Sequence, residues 1–179
     1  GPAVGRIALR NAGTGRMKRR TISHLAPWSE MRGPFVWDVP ARFNIAVGCC
    51  DSWAEEDPDR AAIVDLSNGR RVWTYRDLKD ASDRLAGVLA RGGIGRGDRV
   101  AILLPQRAEV MVAHLAAMKL GAVSLPLFTL FGPDALAYRL ADSGARAIIG
   151  DAEGLARIAP LDLADLTLRI DADDWDLSG

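Results

Sequence analysis

Three short apolar runs, residues 101–104, 122–125 and 147–149, are separated by two segments with helical periodicity, and this alternation constrains the fold more than any other feature of the chain. Residues 101–104 form an uninterrupted apolar run, which suits a strand buried on both faces. Strands joined through helices build a parallel sheet covered by helices, so the expected class is α/β. In the first crossover, Val110, Met111, His114, Leu115 and Met118 are expected on one side of a helix that Gly121 closes. Arg107 and Glu109 fall in its first turn, and Lys119 near its C-terminal end is well placed against the dipole. In the second, Pro133 suits a first helical position, Leu136, Leu140 and Ala141 pack the helix down, and Ser143-Gly144 ends it.

Upstream the pattern differs. Residues 43–56 carry Ile45, Ala46, Cys49, Cys50 and Trp53 at helical spacings, which predicts a helix with both cysteines in the core, and Asp57-Pro58 ends it. Two short extended segments, 61–65 and 70–74, flank Ser67-Asn68-Gly69, a hairpin signal. Thr74 with Asp77 three residues on makes a capping box, after which Leu78, Ala81, Leu85, Val88 and Leu89 give one apolar stripe through Arg91. The glycine-rich run from Gly92 to Asp98 follows that helix and leads into a strand. A dinucleotide-binding turn has the opposite order and a different glycine spacing, so this is a tight connection and an oxidoreductase is disfavoured. Beyond Gly150 a short helix and another strand are expected, with residues 171–179 unfinished. The spacing of Asp171, Asp173 and Asp174 lacks the central glycine and terminal glutamate of a calcium loop.

Charge and cysteine content exclude several functions. Lys plus Arg number 23 and Asp plus Glu 23, so no average surface charge draws the chain to nucleic acid or an anionic membrane. Two adjacent cysteines, Cys49 and Cys50, are poorly placed to staple a secreted fold, and a reducing compartment fits better. No apolar run reaches the roughly 20 residues of a membrane span, and a cytoplasmic location is expected. The two histidines, His24 and His114, are too few for a metal centre or a histidine-dependent triad. His114 reads as a core or subunit-contact residue.

The ends are unusual. Residues 1–20 hold six basic residues and no acid, and read as a tag, an upstream segment starting before a natural Met17, or an arginine-rich presequence. Residues 21–42, with Trp28, Phe35 and Trp37, read as an irregular lead segment anchored by aromatics, and residues 43–179 as an incomplete α/β domain.

Several blocks, in order, resemble the beginning of the AMP-forming acyl-CoA synthetases. They are Phe43-Asn44-Ile45-Ala46, Pro58-Asp59-Arg60-Ala61-Ala62, Trp73-Thr74-Tyr75-Arg76-Asp77-Leu78, Gly95-Arg96-Gly97-Asp98-Arg99-Val100, Ala117-Met118-Lys119-Leu120-Gly121-Ala122-Val123 and Asp142-Ser143-Gly144-Ala145. Phe35-Val36-Trp37 and the Phe43 block are most similar to the acetyl- to medium-chain branch. The resemblance implies the N-terminal portion of a family whose large domain is a mainly parallel sheet flanked by helices, with a small hairpin near the start. It implies an enzyme that turns a carboxylic acid, ATP and coenzyme A into acyl-CoA, AMP and pyrophosphate, with magnesium accompanying ATP.

The family's phosphate loop with its lysine, magnesium motif, ribose-binding aspartate and late catalytic lysine have no counterpart here, so no catalytic, cofactor-binding or metal residue is assigned. The chain alone is expected to be inactive, since adenylation needs such groups to stabilise charge on the transferred phosphorus. Trp73-Thr74-Tyr75, Arg107 and Lys119 are explained by packing, capping and dipole interactions. The apolar loop of residues 127–132 lies beyond the C-terminal end of a parallel strand, where open sheets carry ligands. Its Phe128 and Phe131 either border an acyl pocket in the complete enzyme, cover the core, or meet another domain. The competing function is a stand-alone noncatalytic α/β interaction or scaffold domain. A cut sheet exposes an unpaired edge, which predicts self-association.

Overall fold

The structure is a computed structural model, described here for residues 40–66 and 69–175. The chain divides into two units, residues 1–43 and 44–179, and all the elements below lie in the second. Residues 1–20, residues 21–39 of the expected 21–42 lead segment, Ser67-Asn68 of the hairpin and residues 176–179 lie outside the described residues.

The helix expected over residues 43–56 forms with a difference: Val47–Asp51 is a π-helical turn that runs into α1, Ser52–Glu56. Only one of the two cysteines is buried, since Cys50 faces the core and Cys49 faces solvent, and Ile45 is exposed while Ala46 is buried. Adjacent positions on a helix cannot both face one wall. Next come the antiparallel strands β1 (Ala61–Asp65) and β2 (Arg71–Thr74). Helix α2 (Tyr75–Arg91) starts at the predicted box: Asp77 N donates to Thr74 Oγ1 at 3.2 Å, and Thr74 N donates to Asp77 Oδ2 at 2.8 Å. Leu78, Ala81, Leu85 and Leu89 are buried, but Val88 is exposed at the margin of the stripe.

Strands β3 (Arg99–Leu103), β4 (Val123–Pro126), β5 (Ala145–Gly150) and β6 (Leu168–Asp171) form one parallel sheet in the order β4-β3-β5-β6. They are joined through α3 (Ala108–Lys119), α4 (Pro133–Ser143) and α5 (Ala152–Ile158). Alternate residues of the strands serve two cores, as the two-residue period requires. Val100, Ile102, Ala147 and Ile149 meet α2 and α3, whereas Ala101, Leu103 and Ile148 meet α4 and α5. Burial of one such isoleucine or leucine contributes about 1.5–3 kcal/mol.

The expected face of α3 holds in part, since Leu115 is buried and Val110 and Met118 pack against the core. Met111 is exposed and the buried set is Ala108, Val112, Ala113, Leu115, Ala116 and Ala117. The helix is wedged between the sheet and α2, so it needs two buried faces, and alanines let both neighbours approach. Pro126 ends β4 at the edge of the sheet, where its missing N–H costs no ladder bond.

Connections from β3 and β5, adjacent in the sheet, leave toward opposite faces, because α3 packs in one core and α5 in the other. The gap beyond the C-terminal ends of these two strands is therefore the topological switch point, the usual ligand position in an open parallel sheet.

Candidate functional site: the loop after the edge strand

Residues 127–131 leave the C-terminal end of β4. Leu127 is pinned by its amide to Ile102 O at 2.9 Å and buries its side chain in the α4/α5 core. Phe131 N bonds Phe128 O at 3.1 Å, and Arg157 of α5 donates from Nη1 to Thr129 O and to Phe131 O. A backbone held this way presents Phe128 and Leu130 outward, 72% and 94% exposed. Phe131 turns inward against the α4/α5 core, meets Phe128 edge-to-face with ring centroids 5.5 Å apart, and carries the Arg139 guanidinium 4.1 Å from its own centroid.

A cleft of about 430 Å³ opens between this loop and α3, lined chiefly by Ile102, Leu104, Val110, His114, Phe128 and Leu130. Phe128 borders it; Phe131 stands behind Phe128. The structure thus brings His114 to the loop, which helical spacing alone did not indicate. Its Nδ1 is hydrogen-bonded to Ser124 Oγ of β4, and burial holds its basicity below the ordinary histidine range, so the ring is neutral at physiological pH. The cleft is an apolar slot with a neutral imidazole on its α3 wall. It can accept an apolar chain or ring, and it offers no cation to a phosphate.

The remaining polar residues singled out by sequence have structural partners. Lys119, with its side chain 9% exposed, pairs with Asp51 at 2.9 Å and with Asp83, tying the lead helix to α2 and α3. Asn44 donates from Nδ2 to Met118 O at 2.9 Å and so caps the end of α3 beside it. Burial, with Asp51 next to it, pushes the Cys50 thiol up to about 11, so it is protonated at neutral pH. Arg107 is the N-cap residue of α3 and pairs with Glu109 at 2.8 Å and Asp173 at 2.6 Å. Asp173 also accepts Ala152 N at 3.1 Å, so the acids near the end of the chain serve as a clasp. Among the described residues no three His, Cys, Asp or Glu side chains are grouped to hold a metal, and no helix is long and apolar enough to cross a membrane.

The family that this architecture serves is decided by comparison. Residues 50–178 match the AMP-binding enzyme family. The chain belongs to that family. Its curated relatives include acetyl-coenzyme A synthetases of Xanthobacter autotrophicus, 42% identical over 122 residues, and of Sodalis glossinidius, 38% identical over 122 residues. In each case the match covers 66% of this chain and 19% of the relative. Among solved structures, the N-terminal domain of FACL13 from Mycobacterium tuberculosis superposes with a TM-score of 0.68 at 31% identity, covering 74% of this chain and 34% of that one. This member of the AMP-binding enzymes thus spans about a fifth of the length of the curated relatives it matches. The parallel sheet, the hairpin before it and the helices on both faces are the fold expected from the resemblance.

Proposed function

We propose that this chain is the opening part of an ATP-dependent, AMP-forming acid:CoA ligase acting in the cytoplasm, with residues 43–179 beginning its large domain. In that reaction a substrate carboxylate oxygen attacks the α-phosphorus of ATP and the α–β phosphoanhydride breaks, releasing pyrophosphate. The thiolate of coenzyme A then attacks the acyl carbon and AMP leaves. Magnesium accompanies ATP. The observation that carries the reading is the match of residues 50–178 to the AMP-binding enzymes, supported by relatives that are acetyl-coenzyme A synthetases.

This chain contributes the sheet and the apolar cleft, and does not by itself catalyse the reaction, because no described residue pairs a free cation with a phosphate nest. Phe128, braced by Phe131, borders the pocket for the acyl group. The test is acid-dependent pyrophosphate release with acetate, ATP, magnesium and coenzyme A. A longer protein carrying this chain is expected to form AMP and acyl-CoA, and the 179-residue chain neither. Turnover by the chain alone would overturn its inactivity, and no turnover by the longer protein with any of a series of acids would overturn the ligase reading. In that longer protein Phe128→Ala is expected to change the preference among acids of different length; an unchanged preference removes the residue from the pocket.

A further inference from the structure

The loop cleft holds one polar group that an acyl chain of carbon and hydrogen alone would leave unused. His114 stands half-buried on its α3 wall, among Ile102, Leu104, Val110 and Phe128. Helix α3 carries the residue over β4, where Nδ1 is hydrogen-bonded to Ser124 Oγ. Ser124 does not line the cleft, so the ring turns its Nδ1 side to the strand and meets the cleft with its remaining atoms, Nε2 among them. No hydrogen bond joins Nε2 to a described residue. Nor is it sealed in: the buried side-chain nitrogens and oxygens without a partner among the described residues belong to Asp51, Trp73 and Arg157. Nε2 is therefore open to a ligand in the slot.

The bond to Ser124 decides what Nε2 offers. Where the Ser124 hydroxyl donates to Nδ1, Nε2 carries the ring proton and donates; where Nδ1 donates to Ser124, Nε2 accepts. A ligand hydroxyl is donor and acceptor at once and meets either form, whereas a carbonyl meets only the first. A charged group is poorly matched, because no charged side chain lines the cleft and burial keeps the imidazole neutral. Size is no obstacle, since an apolar cavity of roughly 150 Å³ already holds benzene, and this cleft is about 430 Å³.

We propose that the loop cleft binds an apolar group bearing a hydroxyl, which hydrogen-bonds to His114 Nε2. Resting on the acyl-pocket reading above, this makes hydroxylated carboxylic acids the substrate class and His114 the residue that selects them. A site built to hydrogen-bond a hydroxyl rejects the analogue lacking it, because the protein's polar group is then left unpaired.

The test compares p-cresol with toluene, which differ only in the hydroxyl, as ligands of the 15N-labelled full chain, followed at the imidazole nitrogens. The chain has two histidines, and the signals that persist in His24→Gln belong to His114. Both ligands are expected to bind saturably, p-cresol about fivefold more tightly, the worth of one neutral hydrogen bond, and only p-cresol to move the Nε2 resonance. In His114→Phe, which keeps a ring without its nitrogens, the advantage is expected to vanish. An advantage supplied by Gln106 or Thr129, which also line the cleft, would survive that change. Absence of saturable binding, equal affinity for the two ligands, or an advantage that survives His114→Phe overturns the proposal. Should His114→Phe fail to fold, the Nε2 resonance decides, and p-cresol binding that leaves it unmoved overturns the proposal. In the longer protein, the ratio of kcat/KM for 4-hydroxyphenylacetate over phenylacetate is expected to fall about fivefold in His114→Phe; an unchanged ratio removes His114 from acid selection. Binding is read without ATP or coenzyme A, so the two readings fail separately. A discriminating slot in a protein that turns over no acid sinks the ligase reading alone, and turnover without discrimination sinks this one alone.

Discussion

At the scale of single residues, two polar groups do more for the fold than their exposure suggests. Asp77 is held below the ordinary carboxylate range, chiefly by the Thr74 amide and also by the Thr74 hydroxyl. A carboxyl with a depressed folded pKa stabilises the fold above its unfolded value, and that contribution is lost as pH falls through the folded value. Asp77→Asn is therefore expected to flatten the acid side of a stability–pH profile below about pH 4, measured by urea unfolding at several pH values. Thr74→Ala removes the other half of the box and is expected to cost about 1 kcal/mol. Lys119 is a stronger case, since it is nearly buried between Asp51 and Asp83. Lys119→Met leaves Asp51 as an uncompensated, largely buried charge, and an expected loss of about 3 kcal/mol would be read from the same unfolding curves. A loss below half that would mean that the pair is screened by water.

At the scale of elements, the informative contrast is between α2 and α3. The stripe of α2 was readable because one face meets the core and the other meets water, so periodicity reports burial directly. Helix α3 is covered on two sides, and its small residues, not its large ones, mark the contacts. The spacing of Val110, Met111, His114, Leu115 and Met118 therefore found only part of the buried surface: Leu115 is buried and Val110 and Met118 pack against the core, but Met111 is exposed and the alanines are missed. Ala116→Leu is expected to overpack the core around α3 and cost about 1–3 kcal/mol, detectable as a lowered Tm with helical content retained. Gly144 ends α4 in the left-handed region at φ +57°, and a Cβ there would stand 2.7 Å from Arg99 Nη2. Arg99 cannot step aside freely, because its Nε donates to Ser143 O at 2.7 Å and its Nη2 to Gly144 O. Gly144→Ala is expected to destabilise by at least about 1 kcal/mol, and Arg99→Ala to reduce the penalty in a double-mutant cycle.

At the scale of the whole molecule, β4 and β6 each have a single neighbour in the sheet among the described residues, and Val123, Phe128 and Leu130 are exposed near one edge. Edges and apolar surface of this kind favour pairing with another chain. The 179-residue chain is expected to self-associate in light scattering after size exclusion, with the associated fraction rising with concentration. A monomer at all concentrations would show that the edge residues protect themselves.

The α/β class, the hairpin, the capping box, the start of α4 at Pro133 and the resemblance to acyl-CoA synthetases all follow from the sequence, because each rests on neighbours within a few positions or on an ordered run of blocks. Phe128 and Phe131 were also visible there, as apolar residues in a loop where a strand should have ended. What only the tertiary structure decided is how separated segments meet. His114 reaches the Phe128 cleft because α3 crosses back over β4, and the π-helical turn sends Cys50 inward and Cys49 out. Trp73, which sequence explained as packing, lines a crevice with Gln106 and Asp173 because the hairpin folds beside the turns after β3 and β6. Local rules fix which segments are strands and helices, whereas the relative placement of side chains on separate elements is set by the packing of the two cores, which no short-range pattern records.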